Sequence, residues 1–267
     1  FESLLPVPQF GRRLRAQAGL ALLRRLNPAI GRIHPTAATA PEEEFGLFSY
    51  SLGSAQFEAQ WRIPSFSRWW ETAPRATMYA EFKRLLKTID WSRRNSGAGR
   101  WVIKAPQFLQ DLPAVLDAFP GASLLCLERD PAQVVPSSAS LVWNQMRIQS
   151  DEADPHWVGH EWLRKTRLRQ EMSETTLRVR GVPRLRIDYE AMNADWRSQM
   201  RRVYDFLGLE LTIDILRRME GYQSRARAHH GHVYDLGRFG LTEIQLNSAF
   251  ADGSRPSLRT KRIHGKG

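Results

Sequence analysis

Apolar residues recur at helical spacing through much of the chain. Between Phe10 and Leu26, Leu14, Leu20, Leu22, Leu23 and Leu26 stand among five arginines, which predicts an amphipathic helix stopped by Asn27-Pro28. Binding of this helix to a membrane surface is the sharper reading of those residues; a packed leucine face beneath a solvated arginine face is the commoner one. Pro41 followed by Glu42, Glu43 and Glu44 marks a second helix start, because proline fits the first turn and carboxylates complement the N-terminal dipole. Phe45, Phe48 and Leu52 would then face inward. From Thr72 to Trp91, a third helix is written by Met78, Phe82, Leu85, Leu86 and Ile89, and the loop Ser96-Gly97-Ala98-Gly99 closes it.

The pattern changes at Trp101. Trp101-Val102-Ile103 is a short apolar run ended by Lys104, and Pro106 opens a helix bearing Leu109, Leu112, Val115, Leu116 and Phe119. Pro120-Gly121 stops that helix. A second apolar run, Ser123 to Leu127, ends at Glu128-Arg129-Asp130 and leads into a helix opened at Pro131. His156 to Arg178 reads as one long basic helix. A third strand, Arg184 to Asp188, precedes a helix through Met200, Val203, Tyr204 and Leu207 that Gly208 caps. Apolar runs separated by single helices predict parallel strands in a doubly wound α/β sheet, whose ligands gather at the carboxyl ends of the strands.

Length and composition bound this picture. The 267 residues fit one α/β domain, and 42% hydrophobic with 25% charged residues describe a globular chain. Lysine and arginine total 39 against 28 acids, a net charge of +11, and only six of the 39 are lysine. An arginine-rich surplus suits bidentate binding of phosphate or sulfate oxygens, although GC-rich codon usage produces the same bias. A basic nucleic-acid-binding domain is the reading that charge alone suggests. Against it, the cations are scattered over several helices without interleaved stacking aromatics. The single cysteine, Cys126, excludes an internal disulfide and a cysteine-based zinc cluster, and its apolar neighbours make it a small packed side chain. No uncharged apolar run approaches the ~20 residues of a membrane span, so a cytoplasmic protein is expected. The basic tail over 254–267 lacks apolar periodicity and is expected to be mobile.

Two cations stand where chemistry is expected. Arg129 lies where a strand ends and a helix begins, so its guanidinium and the first N–H groups of that helix could converge on one anion, with Ser137 adding a hydroxyl. Lys104 would end the neighbouring strand on the same sheet edge, where two cations could grip separate oxyanions of one ligand. The plainer readings are an arginine that pairs at an ordinary turn and a lysine that ends a strand in solvent. His229-His230-Gly231-His232 resembles a metal site only superficially, since Asp235 is the one nearby carboxylate. Trp61, Trp69 and Trp70 line either a core or an acceptor pocket.

The ordered set Lys104-Ala105-Pro106-Gln107, Phe119-Pro120-Gly121-Ala122 and Arg129-Asp130-Pro131 through Ser137 resembles the bacterial sulfotransferases that use 3′-phosphoadenosine 5′-phosphosulfate. More distant likenesses are His34-Pro35 with Pro41 to Glu44, Ile187-Asp188-Tyr189-Glu190, Tyr204 to Leu209 and His232 to Leu241. The resemblance implies a single domain over 1–267, with a three-layer parallel sheet like that of P-loop nucleotide kinases. It implies transfer of a sulfuryl group to a hydroxyl or amine of a small-molecule or glycan acceptor, with no metal. Arg129 and Ser137 would hold the 3′-phosphate of the donor and Lys104 would act near the phosphosulfate or acceptor; candidates for the base are His34, whose His-Pro resembles a family element, Glu43 or Glu44, or a residue of the segment ahead of Phe1.

Two departures accompany the likeness. Members begin with a strand and a phosphate-binding loop of the P-R-S-G-T kind, absent from this sequence. The resemblance places both ahead of the segment Phe1 to Pro8, so the chain alone is expected to be inactive or impaired. Members also commonly carry histidine where Phe108 stands, and phenylalanine accepts no proton. Phe108 thus motivates the alternative of a catalytically silent relative that binds the donor nucleotide.

Overall fold

The computed structural model describes residues 9–28, 36–92, 99–226 and 235–251. Helix α1 is Gln9–Leu26, and α2 is Phe45–Phe48, which continues into a 3₁₀ turn at Ser49–Ser51. Helices α3, Gln56–Gln60, α4, Pro64–Thr72, and α5, Ala76–Ser92, follow, then the short pair α6, Gln107–Gln110, and α7, Leu112–Ala118. Strand β1, Leu124–Glu128, leads into α8, Pro131–Gln149, and α9, Pro155–Val179, before β2, Arg184–Asp188. The chain continues as α10, Tyr189–Ala194, α11, Trp196–Leu207, α12, Ile213–Ala226, a 3₁₀ turn at Gly237–Phe239, and α13, Glu243–Ala249.

The architecture is α/β, mostly helical around a small parallel sheet. β1 and β2 pair in parallel from Leu124 opposite Arg184 to Glu128 opposite Asp188, and α8 and α9 form the crossover between them. Strand alternation sends Leu124 and Cys126 against Leu112, Leu116 and Leu177 of α7 and α9. Leu125 and Leu127, on the opposite face of β1, are exposed. Burial raises the Cys126 thiol above its ordinary value, in keeping with a packed side chain.

Two larger cores hold the helices. Val135, Ala139, Val142 and Met146 of α8 pack on Val158 and Trp162 of α9, and Phe239, Leu241, Leu246 and Phe250 close the cluster. Gly159 permits this closure: a Cβ there would stand 2.1 Å from the Phe239 carbonyl oxygen. The second core gathers Phe48, Trp70, Met78, Tyr79, Phe82, Leu86 and Val115. Beside it, Lys165 and Glu58, each with a side chain only 1% exposed, pair at 2.5 Å, and Arg169 reaches the other Glu58 oxygen at 2.8 Å.

Several predicted elements differ in detail. Trp101-Val102-Ile103 forms no strand: among the described residues the sheet has two strands, and the Lys104 amide N–H bonds to the Glu44 carboxylate instead of to a ladder. Leu52 faces outward, because the helix begun at Phe45 ends in the 3₁₀ turn and Leu52 takes a left-handed φ of 55°. The helix expected from Thr72 to Trp91 starts later, at Ala76, and Thr72 instead ends the preceding helix α4. Ala73 precedes Pro74, which disfavours helical backbone there, and Ala73 is extended. Likewise, the helix expected from Pro106 breaks at Asp111, which leaves Leu109 exposed. The Asp111 carboxylate binds Arg75 Nε at 2.8 Å and the Tyr79 hydroxyl at 3.1 Å. Burial raises the Asp111 carboxyl while Arg75 opposes the shift. The tail over 254–267 lies outside the described residues.

Candidate functional site

Arg129 leaves the carboxyl end of β1 and is half-buried. Its guanidinium stacks 4.4 Å from the centre of the Tyr189 ring, at the carboxyl end of β2, and its Nε donates to Gln133 Oε1 at 3.0 Å. Gln133 Nε2 donates in turn to Glu190 Oε1 at 3.4 Å. Gln133 and Ser137 are spaced by four along one face of α8, and Arg129, which precedes the helix, reaches that face through Gln133. Ser137 is half-buried, and its hydroxyl makes no hydrogen bond among the described residues. No carboxylate forms an ion pair with Arg129 among those residues, which leaves its terminal nitrogens available to an anion.

The amides at the start of α8 are less available than the sequence suggests. Pro131 has no N–H, the Ala132 N–H is bound by the Asp130 carboxylate at 2.8 Å, and those of Gln133 and Val134 bond to the Asp130 carbonyl. An anion here meets side chains, with Arg129 foremost.

Lys104 sits in the irregular segment before α6. Its side chain is 66% exposed, and its Nζ pairs with the Glu43 carboxylate. Its backbone N–H donates to Glu44 Oε2 at 2.9 Å, so two consecutive glutamates at the start of α2 clasp one lysine. Burial raises the Glu44 carboxyl above its ordinary 4.5, and the Lys104 amide only partly opposes this. No hydrogen bond or ion pair joins Lys104 to Arg129 among the described residues. His34, His229, His230 and His232 lie outside the described residues.

Two neighbours of Lys104 are structural. Gln107 is fully buried; its Oε1 accepts from Ala55 N at 3.1 Å and its Nε2 donates to Gly53 O at 3.4 Å. Phe108 belongs to the second core, with its ring centre 5.9 Å from that of Phe48. Trp70 is likewise buried, beneath the Arg75 guanidinium at 3.9 Å, whereas Trp61 and Trp69 are exposed.

The model of the sulfotransferase family matches residues 2–213, well over half of the chain. The chain belongs to the sulfotransferase family. Two solved structures of sulfotransferases share its fold. With STF1 from Mycobacterium tuberculosis H37Rv the TM-score is 0.75 at 22% identity, over 89% of this chain and 62% of that one. With STF9 from Mycobacterium avium it is 0.74 at 22% identity, over 92% of this chain and 65% of that one. This sulfotransferase-family chain thus spans less than two thirds of the length of either structure. No curated protein matches.

Within this family member, three contacts of the candidate residues escape sequence reasoning, although Glu44 is itself a candidate base. Tyr189 and Gln133 orient Arg129, and Glu44 binds the Lys104 backbone. The four-residue spacing of Arg129, Gln133 and Ser137 was the available signal for Gln133; nothing local signals the other two. Among the described residues no helix is long and apolar enough to cross a membrane.

Proposed function

We propose that the protein transfers a sulfuryl group from 3′-phosphoadenosine 5′-phosphosulfate to a hydroxyl or amine acceptor. The observation that carries this reading is the half-buried Arg129, held by Tyr189 and Gln133 with no carboxylate partner among the described residues, and with Ser137 one helical turn beyond Gln133. A guanidinium so held offers parallel N–H donors to phosphate oxygens, and a serine hydroxyl one helical face along adds a further donor. Arg129 and Ser137 are therefore assigned to the 3′-phosphate of the donor, whose sulfuryl group is activated by its link to the 5′-phosphate.

In the transfer, the bond from sulfur to the bridging oxygen breaks as a bond to the acceptor oxygen or nitrogen forms. The nucleotide leaves as adenosine 3′,5′-bisphosphate, and the acceptor proton passes to a base. Lys104 is assigned to the negative charge that grows at the sulfuryl group and leaving oxygen, exchanging its Glu43 partner for them. Glu44 is the base. Its carboxyl is more basic than an ordinary glutamate because burial disfavours the charged form, and it is fixed beside Lys104 by that residue's own amide. A single domain holds these groups.

A second reading, a relative that binds the nucleotide without transfer, is favoured by one observation: the side chain at position 108 packs in the core. Incubation with donor carrying labelled sulfate and a panel of hydroxylated and amino acceptors separates the two. Label that appears in an acceptor and depends on Lys104 and Glu44 supports transfer. Nucleotide binding with no labelled acceptor supports the silent relative.

A further inference from the structure

A cavity of about 380 Å³ opens where the corner between α3 and α4 faces the corner between α8 and α9. Trp61 and Trp157 supply its aromatic walls, and Gln60, Arg62, Glu152 and Asp154 supply its polar ones. The volume suits a small ligand. It lies at the C-terminal end of α8, and 18 residues from Pro131 to Gln149 at ~1.5 Å each put it about 27 Å along that helix from Arg129. Neither Arg129 nor Lys104 contributes to it.

The loop between α8 and α9 is ordered by its own bonds. Ser150 Oγ accepts from Glu152 N at 3.1 Å, Asp154 Oδ1 accepts from His156 N at 2.9 Å, and Trp143 Nε1 donates to Ala153 O at 3.0 Å. Trp143 is itself fixed, with the guanidinium groups of Arg147 and Arg238 at 4.8 and 4.5 Å from its ring centre. A ligand therefore meets an ordered loop backbone and the Asp154 carboxylate already in position, which lowers the ordering cost of binding. Asp154 Oδ2 makes no hydrogen bond among the described residues.

The lining discriminates between ligand classes. The Arg62 guanidinium lies 4.8 Å from the centre of the Trp157 ring, so a cationic ligand meets like charge on that aromatic face. Glu152 and Asp154 repel an anion. A wholly apolar ligand would strip water from two carboxylates and an amide without replacing those hydrogen bonds. What remains is a neutral ligand with a C–H face for the exposed Trp61 indole, an edge against Trp157 beside Arg62, and hydroxyls for Asp154, Glu152 and Gln60. We propose that the cavity walled by Trp61 and Trp157 binds a neutral saccharide, one or two sugar rings in size, through stacking on the Trp61 indole and hydroxyl bonds to Glu152 and Asp154.

The test is direct binding. The protein is titrated with cellobiose and with N,N′-diacetylchitobiose while the indole N–H resonances of its nine tryptophans are followed, Trp61→Phe and Trp157→Phe supplying the assignments. Saturable shifts confined to Trp61 and Trp157, reached at millimolar sugar, are expected with at least one of the two. The partly exposed Trp61→Ala should weaken binding about tenfold, and Glu152→Gln should weaken it several-fold with unchanged unfolding temperature. The proposal is overturned by the absence of any saturable shift, by shifts spread to other tryptophans, or by unchanged affinity in both variants. Stronger shifts of the same resonances by tetramethylammonium or by sulfate also overturn it. Because Arg129 takes no part, failure of nucleotide binding leaves this result unaffected.

Discussion

The Lys104 backbone N–H donates to Glu44 Oε2 at 2.9 Å, and this bond fastens the segment bearing the candidate lysine to the start of α2. Burial at that place makes the Glu44 carboxyl more basic than an ordinary glutamate. In the proposed reaction this pair would couple a cation for the developing negative charge with a base for the acceptor proton.

The pH dependence of transfer follows from Glu44. The base works when ionised, and burial moves its titration above 4.5, so the rate should rise with pH through a limb displaced upward from that value. Glu44→Gln should remove the limb and lower the rate by about 10²–10⁴. The pH–rate profile of the two proteins is the check. For stability the sign is opposite. A carboxyl whose folded value is raised contributes stability that is complete below 4.5 and lost as pH rises through the folded value, so Glu44→Gln should flatten a decline in unfolding free energy over that window.

The buried cluster at Glu58 should be the most sensitive polar site in the fold. Glu58→Leu removes the carboxylate bound to both Lys165 at 2.5 Å and Arg169 at 2.8 Å, and leaves two cations buried with less compensation. Lys165 keeps Glu71 at 3.3 Å, which moderates the loss. A destabilisation of about 3–5 kcal/mol is expected from chemical denaturation, whereas the exposed pair of Arg167 and Glu171 should contribute ~0.5 kcal/mol or less.

Gly159→Ala should destabilise through steric conflict alone. Its methyl group would fall 2.1 Å from the Phe239 carbonyl, a rigid backbone atom, so α9 and the 3₁₀ turn must separate. A loss of about 1–3 kcal/mol is expected. Thermal unfolding checks it against Gly121→Ala, where an added Cβ meets nothing within 4 Å.

Much of this arrangement was legible along the chain. Both strands that form were expected, β1 from an apolar run and β2 over Arg184–Asp188, and Gly208 caps α11 in the left-handed conformation that favours glycine. Pro131 and Pro155 each stand at a helix start. The failures share one physical cause, that partners distant in sequence decide local structure. Trp101 to Ile103 has the composition of a strand but no paired neighbour, and the next amide bonds to Glu44, 60 residues away. The break at Asp111 reflects Arg75 and Tyr79, on α5 and just before it, and no pattern around Asp111 signals either. At the candidate site the strand end that carries Arg129 and the helix that carries Ser137 were readable from the sequence. The Tyr189 ring beneath Arg129 depends on the parallel pairing that brings the ends of β1 and β2 together.

The most direct test of the account is the binding of adenosine 3′,5′-bisphosphate to the protein and to Arg129→Ala, measured by calorimetry. Removal of a guanidinium that makes charge-assisted bonds to phosphate should weaken binding by about ten- to a hundredfold, with Ser137→Ala causing a smaller loss. The unfolding transition of Arg129→Ala should stay close to that of the parent, since the side chain forms no ion pair among the described residues. Equal affinity of the parent and Arg129→Ala for the nucleotide would contradict the assignment of the donor site.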